Sequence, residues 1–313
     1  MQQKSKRLLM ALAGLALASF VALLSLNGAA AIPYWGLHTV MALGMLPLML
    51  AVMAYFVPVL TRTPAEGGSV MLLPLLALAG GVAAVAGLAG VFAGIQAGAL
   101  LTLAAVLGML RWMHVRRVLS LSAAHPGLAW YQAALFFLVL GLLLILAGTV
   151  WPEQWSMWRR LHLHFNLLGF VGLTAIGTLQ VLLPTAGGYQ DRDAAQRLRA
   201  GLKYAVAGTL LIATGAAYTP LLAWAGLLAW MWPLGLFILA TLRQHRHLRR
   251  GAAAALTSAL LGYVLVLFSG LLHSLGLLAP QLSVPLFLLV FLLPLVTGAV
   301  SYLLPLWWQP GAG

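Results

Sequence analysis

The sequence predicts an all-α, multi-pass membrane protein with about ten transmembrane helices. Hydrophobic residues make up 63% of the 313 residues, and charged residues make up only 7%. Apolar runs of about 18 or more residues recur along the chain, and each is long enough to cross about 30 Å of hydrocarbon. No soluble domain is left over, so residues 1–313 are expected to form a single integral membrane domain.

The apolar runs predict the spans in chain order. The first run follows Lys6 and Arg7 and precedes Ala29–Ala31, which is also the arrangement of a cleaved signal peptide. We expect a retained helix, because its apolar core is longer than the 7–15 residues of a signal peptide. The predicted spans are roughly residues 8–27, 37–60, 69–92, 95–113, 129–150, 161–184, 203–220, 222–242, 253–275 and 283–306.

The basic residues predict the orientation. Of the 17 Lys and Arg residues, only Arg159 and Arg160 lie on the outer side when both termini are cytoplasmic. The net charge of +13 is therefore a topology signal and a source of attraction for anionic lipids, and nothing in its distribution indicates nucleic acid. We expect a location in the bacterial inner membrane, with the lipid bilayer as the main partner.

An internal repeat is visible in two histidine–proline pairs. His38 precedes Pro58 by the same separation as His164 precedes Pro184, and the offset between the pairs is 126 residues, or four spans. An even number of spans predicts parallel repeats. The last span repeats the proline without the histidine. The architecture is therefore four plus four plus two helices, with repeat units near residues 1–125, 126–250 and 251–313.

Histidine is the main candidate for function. Four of the eight histidines lie in or beside cytoplasmic basic loops, where they are interpreted as interfacial charge: His114, His125, His245 and His247. The other four fall at the outer ends of predicted spans. An ionisable group at membrane depth indicates function, so four imidazoles at one level predict a cofactor site. These four are His38, His162, His164 and His273.

Two further observations limit the cofactor. The chain has no cysteine, which excludes covalent c-type heme and iron–sulfur clusters. His162 and His164 are two residues apart on one predicted helix, so they point about 200° from each other and serve different ligands. Gly44 and Gly169 lie just beyond His38 and His164, where they could either face a flat macrocycle or pack against another helix.

The histidine helices resemble those of a known family. Residues 162–184, with His-x-His, three glycines and Leu-Leu-Pro, resemble the tenth helix of the catalytic subunit of heme-copper oxidases and nitric oxide reductases, most closely the C-type branch. Residues 37–63 resemble the second helix of that subunit. A similar order of histidine, glycine and Pro-Thr is found in a smaller class of heme- and copper-associated membrane proteins linked to the nitric oxide response.

The resemblance implies specific roles. It implies that His38 and His164 are the axial ligands of a b-type heme, and that His162 binds a second cofactor, a high-spin heme or copper, with His273 as a further candidate. Arg159 and Arg160 are expected to pair with heme propionates, because arginine binds carboxylates in a bidentate manner. The family's copper site includes an adjacent His-His pair that this chain lacks, so a standard copper-containing oxygen-reducing centre is not expected.

The expected function is electron transfer, or redox chemistry linked to nitric oxide or oxygen. A quinol or an external donor would supply electrons, other respiratory subunits are expected as partners, and an oxidoreductase activity is left open. Two alternatives remain: a ten-helix small-molecule transporter, and an assembly factor that delivers heme or copper to a respiratory oxidase. A transporter would favour inverted repeats and polar groups at the midplane, whereas the histidines here lie near one edge.

Overall fold

The protein is helical throughout the part of the chain that the computed structural model describes, residues 3–27, 32–65, 68–91, 93–249 and 251–308. The structure is 88% helical, and no strand occurs in those ranges. Ten helices within them are long and apolar enough to cross a membrane. The predicted all-α, multi-pass fold is thereby confirmed, and such a chain contacts the lipid bilayer. Ala29–Ala31, which imitate a cleavage site, lie outside the described residues.

The elements follow one another in a simple order, and short 3-10 turns connect some of them. The 3-10 turns are Gly68–Met71, Pro152–Gln154, His245–His247 and Pro280–Leu282. The longer elements are α1 (Gln3–Asn27), α2 (Tyr34–His38), π1 (Thr39–Met45), α3 (Leu46–Thr61), α4 (Leu72–Leu88), α5 (Gly94–Val118), α6 (Gly127–Val150), α7 (Trp155–His164), π2 (Phe165–Gly172), α8 (Leu173–Gly187), α9 (Ala194–Ala217), α10 (Pro220–Leu242), α11 (Gly251–Ser274), α12 (Ser283–Leu286), π3 (Phe287–Leu292) and α13 (Leu293–Trp308).

The helices extend beyond several of the predicted spans. The sixth span was predicted from residue 161, but α7 already begins at Trp155. Likewise, α1 begins at Gln3 and contains the basic residues that precede its apolar run. The reason is that hydropathy marks the hydrocarbon boundary, whereas a helix continues into the interface for as long as its backbone hydrogen bonds are satisfied.

The chain divides into two compact units. Unit 1 comprises the described residues of Met1–Leu128, Leu142–Val150 and Leu304–Gly313, and unit 2 comprises those of Ala129–Gly141 and Trp151–Leu303. Helix α6 and the last helix, α13, therefore contribute to both. Of the predicted site residues, His38 belongs to unit 1, and unit 2 contains Arg159, Arg160, His162, His164 and His273.

Each unit contains a helix pair that packs through glycine. In unit 1, a Cβ added at Gly87 of α4 would lie 2.4 Å from the backbone nitrogen of Ile95 in α5. In unit 2, a Cβ added at Gly215 of α9 would lie 2.2 Å from the backbone nitrogen of Ala223 in α10. Small residues let helix backbones approach closely inside a membrane. The same kind of helix pair thus occurs in both units, and the second follows the first by about 126 residues.

Three spans contain a π-helical segment at matching positions. The segment π1 begins directly after His38, and π2 begins directly after His164, which is 126 residues later. The segment π3 follows Pro285, which stands where the third histidine would be. All three spans also contain a proline near their end, namely Pro58, Pro184 and Pro305. π-helical turns are rare in proteins, and those that occur are often at functional sites. Their recurrence therefore marks these three spans as equivalent.

A proline and a glycine accompany the π segment in the first and last of these spans. Pro47 and Pro294 are the second residues of α3 and α13, and proline has no N–H to donate to the carbonyl four residues earlier. A Cβ added at Gly81 would lie 2.3 Å from the carbonyl oxygen of Ala42 in π1. A Cβ added at Gly262 would lie only 2.0 Å from the carbonyl oxygen of Val290 in π3. Glycine is therefore required where a neighbouring helix packs on these segments.

Candidate cofactor site

His38 and His164 have the same local geometry. The Nδ1 atom of His38 lies 2.8 Å from the carbonyl oxygen of Tyr34, and the Nδ1 atom of His164 lies 2.8 Å from the carbonyl oxygen of Arg160. In both residues, Nδ1 therefore donates its proton to the carbonyl one turn earlier, so Nε2 is the unprotonated nitrogen, which is the form of histidine that binds metals. Metal-binding histidines are commonly oriented in this way, so both residues are suited to act as axial ligands.

A cavity of about 560 Å³ lies within unit 2, next to His164. Its lining is mostly apolar and includes His164, His273 and Arg160. The two histidines reach the cavity from different helices, His164 from α7 and His273 from α11. The volume falls within the range of about 300–1,000 Å³ that is usual for small-molecule and cofactor sites. The structure thus places two imidazoles and one guanidinium at a single site.

Polar groups of the same cavity are held by hydrogen bonds to other residues of unit 2. The indole Nε1 of Trp224 donates to the hydroxyl of Ser274 at 2.8 Å, and the Nη1 of Arg160 donates to the carbonyl oxygen of Ala216 at 3.3 Å. The Nδ1 of His273 lies 3.3 Å from the carbonyl oxygen of Leu278. The hydroxyl oxygen of Ser283 is buried and has no hydrogen-bond partner among the described residues. A buried polar atom without a partner indicates space for a polar ligand group.

His162 points to a different neighbour. Its Nδ1 lies 2.9 Å from the carbonyl oxygen of Gly141 in α6, and the amide of Asn166 donates to the carbonyl oxygen of His162 at 2.7 Å. Neither His162 nor Arg159 is among the residues that line the cavity of unit 2. The cavity is therefore lined by His164 and His273, and His162 is not part of its lining. A second cofactor at His162 stays a prediction.

Gly44 and Gly169 are packing positions. A Cβ added at Gly44 would lie 2.5 Å from the hydroxyl oxygen of Ser19 in α1, and one added at Gly169 would lie 2.6 Å from the Cβ of Phe137 in α6. Both glycines thus allow a neighbouring helix to approach a π segment. The structure favours helix packing over a flat macrocycle face at these two positions.

Sequence reasoning did not find the association of His164 with His273, nor the contribution of Trp224 and Ser283. No motif connects these residues, since they come from four different helices. The one weak signal was that His273 shares its predicted membrane level with His164. Within the described ranges, no group of three or more His, Cys, Asp or Glu side chains could hold a metal ion. The pairing of His38 with His164 stays a prediction.

No protein-family model, no curated protein and no solved structure matches the chain. The resemblance to heme-copper oxidases therefore rests on residues 37–63 and 162–184, and the function has to be argued from the site.

Proposed function

We propose that this chain is a b-type heme protein of the bacterial inner membrane, related to the heme-copper oxidases and active in electron transfer or in redox chemistry linked to nitric oxide or oxygen. The observation that carries the proposal is the cavity of unit 2. There His164, with its Nδ1 held by a backbone carbonyl, shares an apolar space with His273 and Arg160. Two histidines and a cation in one apolar cavity are the groups that an anionic metalloporphyrin requires.

The residues of the cavity fit a heme in three respects. His164 would hold the heme iron through its Nε2, and His273 is the candidate within unit 2 for a second ligand. Arg160 offers a cation for a propionate, since its Nη1 and Nε already contact backbone carbonyls and its remaining N–H groups can donate to a carboxylate. The apolar walls exclude water from the macrocycle. A bound heme would supply reversible one-electron chemistry.

His38 is the second candidate for the axial partner of His164. It lies in unit 1, and the resemblance to the second helix of heme-copper oxidases supports it, as does its matching Nδ1 contact with Tyr34. The proposal includes no copper-containing oxygen-reducing centre, because the sequence has no His-His pair to supply one. A quinol or an external protein is the proposed electron donor.

The test is the visible spectrum and the heme content of the detergent-purified protein, for the parent and for single histidine variants. We expect a low-spin b-type spectrum in the parent and its loss in His164→Ala. Either His273→Ala or His38→Ala should convert the remaining heme to a high-spin form, because one of these residues then no longer supplies the second ligand. His114→Ala, which removes an exposed histidine near the end of α5, is the matched control and should change nothing.

Two results would contradict the proposal. One is a parent protein that takes up no heme when heme is supplied during expression. The other is a low-spin spectrum that survives in His164→Ala. Metal analysis of the same samples tests His162, since one heme and no copper per chain would leave that residue without a cofactor.

A further inference from the structure

A second cavity, of about 340 Å³, lies within unit 1 and shares no lining residue with the cavity of unit 2. It is formed by the beginning of α1, the end of α3, the turn after α3 and the 3-10 turn Gly68–Met71. Its polar lining includes Ser5, Arg62 and Thr63, and most of the remaining lining is apolar. The distribution of basic residues predicts that this end of the helices is cytoplasmic.

Arg62 adopts an unusual backbone conformation. It ends α3 with φ 53° and ψ 38°, which is the left-handed region that disfavours residues with a Cβ. The equivalent residue of unit 2, 126 positions later, is Gly188, which ends α8 with φ 69° and ψ 30°. The two units therefore make the same turn, but only unit 1 keeps a side chain there. Such strain is characteristic of positions where the side chain is needed for binding.

The Arg62 guanidinium is held by a hydroxyl among the residues that the structure describes. Its Nη1 donates to the hydroxyl of Ser122 at 2.8 Å, and within the described part of unit 1 it makes no ion pair. The turn itself is fixed by Arg116, whose Nη1 donates to the carbonyl oxygen of Pro64 at 3.0 Å. Of the four acidic residues, Glu66 lies outside the described residues and the other three belong to unit 2: Glu153, Asp191 and Asp193.

In unit 2, a cation close to the equivalent turn at Gly188 is paired with a carboxylate. There Arg197 forms a two-point ion pair with Asp191, through Nη1 and Nη2. The residue of unit 1 that is equivalent to Asp191 is Ala65, which lines the cavity and has no charge. After the histidine span, unit 2 thus has an ion pair, whereas the described part of unit 1 has the cation Arg62 without one.

The space in unit 1 arises from a second substitution between the repeats. Ser5 is only 3% exposed, lines the cavity and makes no hydrogen bond among the described residues. Its equivalent in unit 2 is Tyr131, a fully packed side chain whose hydroxyl lies 2.9 Å from the hydroxyl of Thr178. A large side chain with its own partner in unit 2 is therefore replaced in unit 1 by a small hydroxyl that faces open space. The hydroxyl of Ser5 is therefore a polar group on the cavity wall that a ligand could contact.

We propose that this cavity binds the phosphate group of an anionic phospholipid. The guanidinium of Arg62, held by Ser122, and the hydroxyl of Ser5 provide donors that a phosphate requires. Most of the lining is apolar, and Val59, which lines the cavity, is 69% exposed, as contact with acyl chains requires. The phosphate could also come from a soluble phosphate ion, so the experiment distinguishes the two sources.

The test is thermal unfolding of the delipidated full-length protein with increasing phosphatidylglycerol, phosphatidylcholine or inorganic phosphate. Phosphatidylglycerol should raise the unfolding temperature of the parent in a saturable way, because a ligand that binds only the folded state stabilises it. In Arg62→Gln its apparent affinity should fall about tenfold to a hundredfold, since the charge-assisted hydrogen bonds are lost. Gln also has a Cβ, so the turn is equally strained in the variant and the parent. Ser5→Ala should show a smaller loss.

The control is Arg117→Gln, which removes one exposed positive charge from the last turn of α5 without touching the cavity. It should bind phosphatidylglycerol like the parent. Equal affinities in Arg62→Gln and the parent would overturn the site. A shift of the same size with inorganic phosphate alone, lost in Arg62→Gln, would overturn the lipid as its source. Neither result affects the heme spectrum, so this proposal and the proposed function can fail separately.

Discussion

The two histidine spans have the same backbone features, but the cavity beside each span lies at a different end of it. In unit 1 the span runs from Tyr34 to Thr61, and in unit 2 the corresponding helix runs from Trp155 to Gly187. Each has a histidine, a π segment, an interior proline and a left-handed residue after the last turn. The cavity of unit 1 lies at the proline end of its span, whereas the cavity of unit 2 lies at the histidine end. The backbone pattern is therefore the same in both units, whereas the position of the cavity along the span is not.

The difference arises from a few side chains at equivalent positions. The left-handed position has an arginine in one unit and Gly188 in the other, and the neighbouring helix contributes Ser5 in one and Tyr131 in the other. In unit 2 the glycine fits the left-handed turn without strain, and Tyr131 is a large buried side chain with its own partner, Thr178. The comparison teaches that two units with the same backbone pattern can place their cavities differently through single side-chain differences at equivalent positions.

The largest expected effect concerns the glycines that pack on the π segments. Neither unit should tolerate a larger residue at these positions. Gly81→Ala and Gly262→Ala should each lower the free energy of unfolding by about 1–3 kcal/mol or more, because the new Cβ would collide with a backbone carbonyl that cannot rotate away. Unfolding of the detergent-solubilised protein by a denaturing detergent, followed by circular dichroism, measures the change.

Gly14→Ala and Gly270→Ala are the matched controls, since an added Cβ there has no atom within 4 Å. They should be neutral or stabilising by up to about 1 kcal/mol, because alanine favours a helix. If Gly81→Ala were tolerated while Gly262→Ala was not, the two π segments would not be equivalent in packing.

Much of this fold could be predicted from the sequence, because transmembrane helices are specified by long apolar runs. The offset between the His38 and His164 pairs also predicted the register at which the local structure repeats. The π segments were not predicted, since a single extra residue per turn leaves no mark on hydropathy. The left-handed turn was visible at Gly188 through its glycine, but Arg62 gives no such signal. The approach of His273 to His164 depends on how separate helices pack, which composition does not determine.

The ion pair of unit 2 provides the next prediction. Asp191→Asn should lower the free energy of unfolding by about 1–3 kcal/mol, because Arg197 would keep its charge in a site where its side chain is only 12% exposed. Partial burial and the nearby Asp191 carboxylate raise the pKa of Tyr189, which is the equivalent of Thr63. In the variant that pKa should fall, since the carboxylate is gone and the Arg197 cation stabilises the phenolate.

Unfolding measurements and a pH titration of carbon-13-labelled tyrosine test the two effects. Asp193→Asn is the control, because Asp193 is exposed and its side chain makes no cap hydrogen bond to α9. A raised pKa of Tyr189 gives stability that is complete below the pKa of the unfolded tyrosine and is lost as the pH rises through the folded value. Removing Asp191 should therefore weaken stability least at high pH, above both values. An unchanged Tyr189 titration would mean that the ion pair does not influence its surroundings.

The smallest expected effect tests the left-handed turn itself, at the same position in both units. Gly188→Ala should lower the free energy of unfolding by about 1 kcal/mol, because a Cβ is disfavoured at φ 69°. The reverse change, Arg62→Gly, should be close to neutral in delipidated protein. It relieves the same strain, but it adds flexibility to the unfolded chain and removes the hydrogen bond to Ser122. With saturating phosphatidylglycerol, Arg62→Gly should become clearly less stable than the parent, since only the parent gains from the ligand. Comparing both variants with and without lipid separates backbone strain from binding. If Arg62→Gly were as destabilising as Gly188→Ala without lipid, the arginine would be a structural part of the turn and the two units would differ less than their cavities indicate.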